Sequence, residues 1–201
     1  MTSNETSWGL ASLVLTTIQY IPYFRGIFTG RVKPHVFSWL VWALPAGITF
    51  FAQIAKGAGA GAWATGYTTL LCIAVFILSL SRGEKKIVLL DWVTLFCALL
   101  AIAVWAMTDD PLGAVILATI ANGLGFIPTV RKSIEKPYEE SIISYCFSTT
   151  KWFCSIIAAQ SMTVTTLLFP IASVIMALAF TGFVLMRRDQ LKRLVPSGMP
   201  Q

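Results

Sequence analysis

The sequence predicts an all-α integral membrane protein with seven transmembrane helices, arranged as two parallel three-helix bundles joined by a linker helix (3+1+3). Three observations carry this prediction: a composition too apolar for water, seven apolar runs with short charged breaks, and a repeat that returns after 106 residues (128 minus 22). Of 201 residues, 56% are hydrophobic and only 12% charged. A soluble domain carries about 25% charged residues, so lipid has to solvate much of this surface. The net charge is +6. Its basic residues sit in short connections between apolar runs, which is how topology signals are placed and not how a nucleic-acid surface is built.

Taken in order, the runs are Trp8–Phe28, His35–Lys56, Gly61–Leu80, Ile87–Met107, Leu112–Val130, Ser141–Gln160 and Val164–Met186. Each is close to the roughly 20 residues that cross a bilayer. The breaks carry the charge: Gly30-Arg31-Val32-Lys33-Pro34, Arg82-Gly83-Glu84-Lys85-Lys86, Thr108-Asp109-Asp110-Pro111 and Arg131 to Glu140. The Gly57–Gly61 run and Ser161-Met162 are weaker punctuation. Residues 1–82 then form the first repeat, 83–110 the linker helix, 111–188 the second repeat and 189–201 a cytoplasmic tail. Met1 to Ser7 has no basic residue and one acid, Glu5, so it lacks the positive start of a secretory signal, and the first helix is expected to be retained.

Charge sets the direction. Arg25, Arg31 and Lys33 mark the first connection, Arg82, Lys85 and Lys86 the third, and Arg131, Lys132 and Lys136 the fifth, while Arg187, Arg188, Lys192 and Arg193 follow the seventh run. The other side has Lys56 with the acids Asp109 and Asp110. Basic connections lie on the cytoplasmic side. The N-terminus is therefore expected outside and the C-terminus in the cytoplasm, which requires an odd number of crossings.

The repeat is read from Tyr20-Ile21-Pro22-Tyr23-Phe24-Arg25 against Phe126-Ile127-Pro128-Thr129-Val130-Arg131. Extended without gaps, Ser38 falls on Ser144 and Arg82 on Arg188. Both halves carry a Lys-Pro in the first basic loop, Lys33-Pro34 and Lys136-Pro137. A single linker crossing leaves both halves pointing the same way, a parallel repeat with its substrate site near the midplane. With these motifs the chain resembles a divergent bacterial-type member of the SWEET/PQ-loop transporter superfamily, over nearly its whole length. The family's Pro-Gln is replaced here by Pro22-Tyr23 and Pro128-Thr129. The resemblance implies a transporter or facilitator in the bacterial cytoplasmic membrane. It would move a small polar solute (a sugar, amino acid, organic acid or vitamin precursor) by alternating access. It also implies that Pro22 and Pro128 act as hinges. A homo-oligomer is compatible with it.

Polar residues inside apolar runs mark the candidate site. Ser141, Ser144, Ser148, Lys151 and Ser155 are spaced by 3, 4, 3 and 4, which puts them on one helical face. Ser38, Trp42, Pro45, Thr49 and Gln53 form a second stripe, and the first four fall on Ser144, Ser148, Lys151 and Ser155 at the 106-residue offset. Lys151 stands near the middle of its run, where a lysine costs about 2.5–3.5 kcal/mol. No acid shares that depth; Asp91 comes nearest, at the cytoplasmic end of the fourth run. Such a lysine has to find polar neighbours, bind an anionic ligand or lose its proton. Gln19 and Asn122 are the candidate neighbours, and the alternative is a structural lysine bonded to carbonyls or stacked near Trp152. The expected substrate-binding set is Lys151, Asn122, Gln19, Trp42, Trp152, Ser148, Thr49 and Gln53, with a substrate that can be anionic.

Trp42 and Trp152 read equally as pocket walls and as packing, whereas Trp39 lies near the cytoplasmic boundary and reads as interfacial. The Gly57–Gly61 alternation with alanine is expected to let the second and third helices approach closely. Cys72, Cys97, Cys146 and Cys154 lie in apolar runs without metal or disulfide spacing and read as small hydrophobes between helices. His35 is the only histidine. No metal set, phosphate loop or catalytic pair stands out, so neither an enzyme nor a cofactor is expected. Two other functions compete. A receptor or sorting protein that binds a peptide signal would favour longer loops. A photoreceptor would need its lysine in the last helix, and the seventh run has none.

Overall fold

The computed structural model describes residues 3–30, 34, 36–83, 89–108, 110–135, 137–139 and 142–194. Arg31, Lys33, His35, Lys85, Lys86, Asp109, Lys136 and Ser141 lie outside them, as do the side chains of Ser38, Asp91, Pro128, Thr129, Arg131 and Lys132. The described chain is helical throughout, with eight α-helices: α1 (Ser3–Phe28), α2 (Val36–Ala55), α3 (Trp63–Arg82), α4 (Leu89–Thr108), α5 (Pro111–Leu124), α6 (Phe126–Glu135), α7 (Ile142–Ile157) and α8 (Val164–Leu194). Short 3-10 turns occupy Gly59–Ala62 and Pro137–Glu139. Only Gly125 separates α5 from α6, and its φ of −61° and ψ of −19° keep it in the right-handed helical region. The eight helices are therefore seven rods, one of them interrupted.

The predicted runs match these rods with three departures. The fifth run breaks at Gly125, three residues before Pro128, which has no N–H to give the Leu124 carbonyl. The seventh does not end at Met186: α8 continues to Leu194, through the expected tail boundary. Its extension is held by the Asp189–Arg193 ion pair at 2.8 Å and by Arg187 Nη1 donating to Gln190 Oε1 at 3.1 Å. Finally, α1 starts at Ser3, earlier than the apolar run, and passes through Pro22 unbroken. At the start of α5, Asp110 accepts a hydrogen bond from the Leu112 N–H at 3.1 Å and Pro111 takes the first turn, a complete N-terminal cap.

Two helical stretches, Gly59–Arg82 and Val164–Arg193, are long and apolar enough to cross a membrane, and Trp39–Ala55, Leu95–Thr108 and Pro111–Leu124 are shorter apolar helices. The outward faces are apolar as well: Leu10, Val14, Ile18 and Ile21 on α1, Leu70, Ile73 and Ile77 on α3, and Ile171, Ile175 and Leu178 on α8 are all exposed.

The packing has a simple order. α1 lies on α3 and α7, α3 on α2, α2 on α5, α5 on α8, and α8 on α7, while α4 covers α2 and α5. Burial repeats with it. Lys151, Trp152, Cys154, Ser155, Ala158 and Ala159 of α7 and its end are buried. The residues 106 positions earlier, Pro45, Ala46, Ile48, Thr49, Ala52 and Gln53, are buried too. Gly9, Ser12 and Ile27 match Val115, Ala118 and Ser133 in the same way. The third helices keep phase at 105 instead: Ala64, Thr65, Cys72, Val75 and Ser79 match Phe169, Pro170, Ala177, Phe180 and Val184. One residue fewer joins the second and third helices of the latter half, so Arg82 corresponds to Arg187 and not to Arg188.

Gly57 and Gly59 have positive φ (71° and 57°), which glycine tolerates, and they turn the chain into the 3-10 segment. Gly61 does not serve the α2–α3 contact expected of it. A Cβ there would lie 2.6 Å from Ala159 Cα, so its bareness lets the segment seat on the end of α7.

Candidate functional site

Lys151 is 2% exposed, and its stem crosses from α7 toward α3 and α1. Its Nζ donates to Thr68 Oγ1 at 3.2 Å. The ammonium also lies 4.8 Å from the ring centroid of Trp152 and 5.8 Å from that of Tyr20, within cation–π range of both. Tyr20 Oη and Cys72 Sγ are 3.5 Å apart. Among the described residues no carboxylate pairs with Lys151. Trp152 packs edge-on to Phe169 at 5.5 Å, so it is at once a wall for the lysine and part of the core.

Neither sequence-predicted neighbour, Gln19 nor Asn122, hydrogen-bonds Lys151 among the described residues. Gln19 is on α1, which packs on α7, and its Oε1 is buried without a hydrogen-bond partner. Asn122 is half-buried on α5, whose helix neighbours are α2, α4, α6 and α8. Ser148, one turn before Lys151, is half-buried. Thr68, Tyr20 and Cys72 were not among the expected residues. Thr65, Thr68 and Cys72, spaced by 3 and 4, do form a polar line on α3 that could have pointed to them.

The α2 stripe builds a second polar face. Trp42 stands edge-on to Trp39 (5.3 Å, 88°) and its Nε1 sits where a Cβ at Gly125 would fall. Trp39 is buried, contrary to its interfacial expectation: it donates from Nε1 to Tyr23 Oη at 3.1 Å and packs on Tyr20 at 6.1 Å. The depth of a residue along a helix fixes its level, not which way it faces. The Tyr20–Trp39 ring contact recurs at positions 126 and 145, where Phe126 and Tyr145 lie 6.5 Å apart.

Two hydrogen bonds join the halves at equivalent acceptors, from donors one turn apart. Gln53 Nε2 donates to the Thr166 carbonyl at 2.9 Å, and Ser155 Oγ donates to the Gly61 carbonyl at 2.6 Å. The first of these has a clear cause. Pro170 leaves the Thr166 carbonyl without its intrahelical donor, and Gln53 replaces that donor. Thr49, one turn below Gln53, is buried with Oγ1 unpartnered. Pro22 lies exposed within α1, and Pro128 is the third residue of α6, just after the Gly125 break.

All four cysteines are free; Cys72 and Cys154 are buried, but Cys146 is exposed and packs between no helices. No group of three or more metal-binding side chains occurs among the described residues. No family model, curated protein or solved structure matches the chain.

Proposed function

We propose that the chain is a membrane transporter or facilitator for a small polar solute, and that Lys151 binds an anionic group of that solute. In this reading seven rods cross the membrane with the N-terminus outside. The triplet α1, α3, α2 rocks against the triplet α5–α6, α8, α7, and α4 is the linker. The observation that carries the reading is Lys151: a buried cation on one triplet, with its single hydrogen bond to Thr68 on the other. A charge at that place costs several kcal/mol unless something is gained from it. A ligand gripped between two triplets couples binding to their relative motion. The recurrence of burial at 106 and 105 residues supports the division into triplets. The break at Gly125 beside Pro128 supplies a flexible point in the second triplet.

The test is a thermal-shift screen of purified protein against sugars, amino acids, organic acids and vitamin precursors, with Lys151→Met beside the wild type. At least one compound with a carboxylate or other anionic group is expected to stabilise the wild type and not the variant. If every stabilising compound acted equally on both, Lys151 would have no part in binding.

A further inference from the structure

A second set of buried polar groups lies on α2 and α8, which pack on each other. Gln53 is held in one orientation, because its Nε2 donates to the Thr166 carbonyl at 2.9 Å. Its Oε1 must then face the other way, and there it is buried without a donor. Thr49 Oγ1 and Ser173 Oγ are likewise buried and unpartnered. Neither makes the bond to the carbonyl one turn earlier that Thr16, Thr69, Thr119 and Thr181 make at 2.7–2.9 Å.

The Gln53–Thr166 bond fixes the register of these antiparallel helices. Thr49 lies about 6 Å below Gln53 along α2, and Ser173 about 10.5 Å below Thr166 along α8, at 1.5 Å per residue. Four and seven residues are near-whole turns, so each hydroxyl stays on the face of its tie point. Pro45, a further turn down α2, leaves the Val41 carbonyl without its helical donor. The seam therefore holds three buried oxygens without a hydrogen-bond partner, Gln53 Oε1, Thr49 Oγ1 and Ser173 Oγ. Hard oxygen donors of this kind suit a small monovalent cation. Discontinuities that expose carbonyls are where membrane carriers hold such ions.

We propose that Gln53 Oε1, Thr49 Oγ1 and Ser173 Oγ form a binding site for a small monovalent cation, occupied by sodium or by the ammonium group of an organic ligand. The site sits in the half-interface that mirrors the lysine's own. Pro45 takes the place of Lys151 at the 106-residue offset, and Ser173 that of Thr68 at 105. The two half-interfaces thus carry opposite preferences in charge. The proposal does not rest on the anion reading of Lys151.

The test measures thermal unfolding of the purified full chain in sodium, potassium or choline chloride at equal ionic strength, and with added methylammonium chloride. The wild type, Thr49→Val, Ser173→Ala and Lys151→Met are compared. A saturable sodium response is expected in the wild type and in Lys151→Met, and it should weaken at least about tenfold in Thr49→Val and Ser173→Ala. A methylammonium response with the same dependence, and none to sodium, supports the site with an organic ammonium as its occupant. The absence of any cation-selective response in the wild type overturns the proposal even if a variant fails to fold. So does a response indifferent to both oxygen deletions, or one lost in Lys151→Met.

Discussion

An ammonium has three N–H groups to place, and Lys151 places one of them, on Thr68. The faces of Trp152 and Tyr20 take up part of the remaining charge, but a ring face is a poorer partner than an anion. The ligand-free protein therefore carries a buried charge that its surroundings only partly compensate. Replacing such a charge with an apolar side chain of similar length is often neutral or stabilising by about 1–4 kcal/mol. Lys151→Met is accordingly expected to leave the ligand-free protein as stable as the wild type or more so in thermal unfolding, while losing the ligand response. A loss of stability above about 2 kcal/mol would instead mark the lysine as a structural element. Thr68→Val is expected to lower stability by about 1–3 kcal/mol, since it removes the lysine's one acceptor and leaves the charge in place. The lysine itself was legible in the sequence, because a charge inside an apolar run stands out whether its role is binding or structural. Its partner was not. A threonine in a helix ordinarily turns its hydroxyl to its own backbone, as Thr69 does to Thr65 O, and the one hint that separates Thr68 is its 3 and 4 spacing from Thr65 and Cys72.

At the scale of elements, apolar length located the seven rods but missed their ends by up to eight residues, at the C-terminus of α8 (194 minus 186). Length does not register a kink. The fifth rod breaks at Gly125 where the first, with Gln19 at the equivalent place, runs on past Pro22. Both prolines remove a donor, so the difference lies in the residue three positions earlier and in what it packs against. The bare Gly125 accepts the indole edge of Trp42 from α2, and a Cβ there would collide with Trp42 Nε1. Gly125→Ala is therefore expected to destabilise the protein by about 1–3 kcal/mol, the usual cost of overpacking. Trimming the partner should relieve it. In the cycle of Gly125→Ala, Trp42→Ala and the double variant, the glycine substitution should cost markedly less once the indole is gone. Additive effects would mean that the two residues do not touch. The extension of α8 was hidden for a related reason. Hydropathy ends where charge begins, yet Arg188 Nη2 and Nε reach the Pro137 carbonyl at 3.0 and 3.1 Å and keep the last turns of α8 docked on the chain after α6.

Across the whole molecule the two ends of the bundle are built differently. At the end that holds Glu5, contacts join the halves: Gln160 donates from its backbone to the Ala58 carbonyl at 3.1 Å and from Nε2 to Glu5 at 3.0 Å, and Gly61 seats on Ala159. At the arginine end there are contacts within each half. Arg82 covers the Phe28 ring at 5.6 Å, and Arg187 Nε donates to the Ile134 carbonyl at 2.9 Å. The sequence located these ends through charge, and it found the repeat through a shared Pro-x-x-Arg. It could not show the one-residue slip in the third helices, because apolar helices align about as well at 105 as at 106 until burial fixes the phase. If basic ends stay in the cytoplasm, the Glu5 end faces outward and the arginine end inward. The expectation can be read directly in cells. In a chain with its four native cysteines replaced, Met162→Cys sits at the Glu5 end and Gln190→Cys at the arginine end, both at exposed positions. A membrane-impermeant maleimide should modify Met162→Cys in intact cells, and Gln190→Cys only after the membrane is opened. The reverse pattern would invert the topology. Labelling of both in intact cells would put the two ends on the same side, which seven crossings forbid.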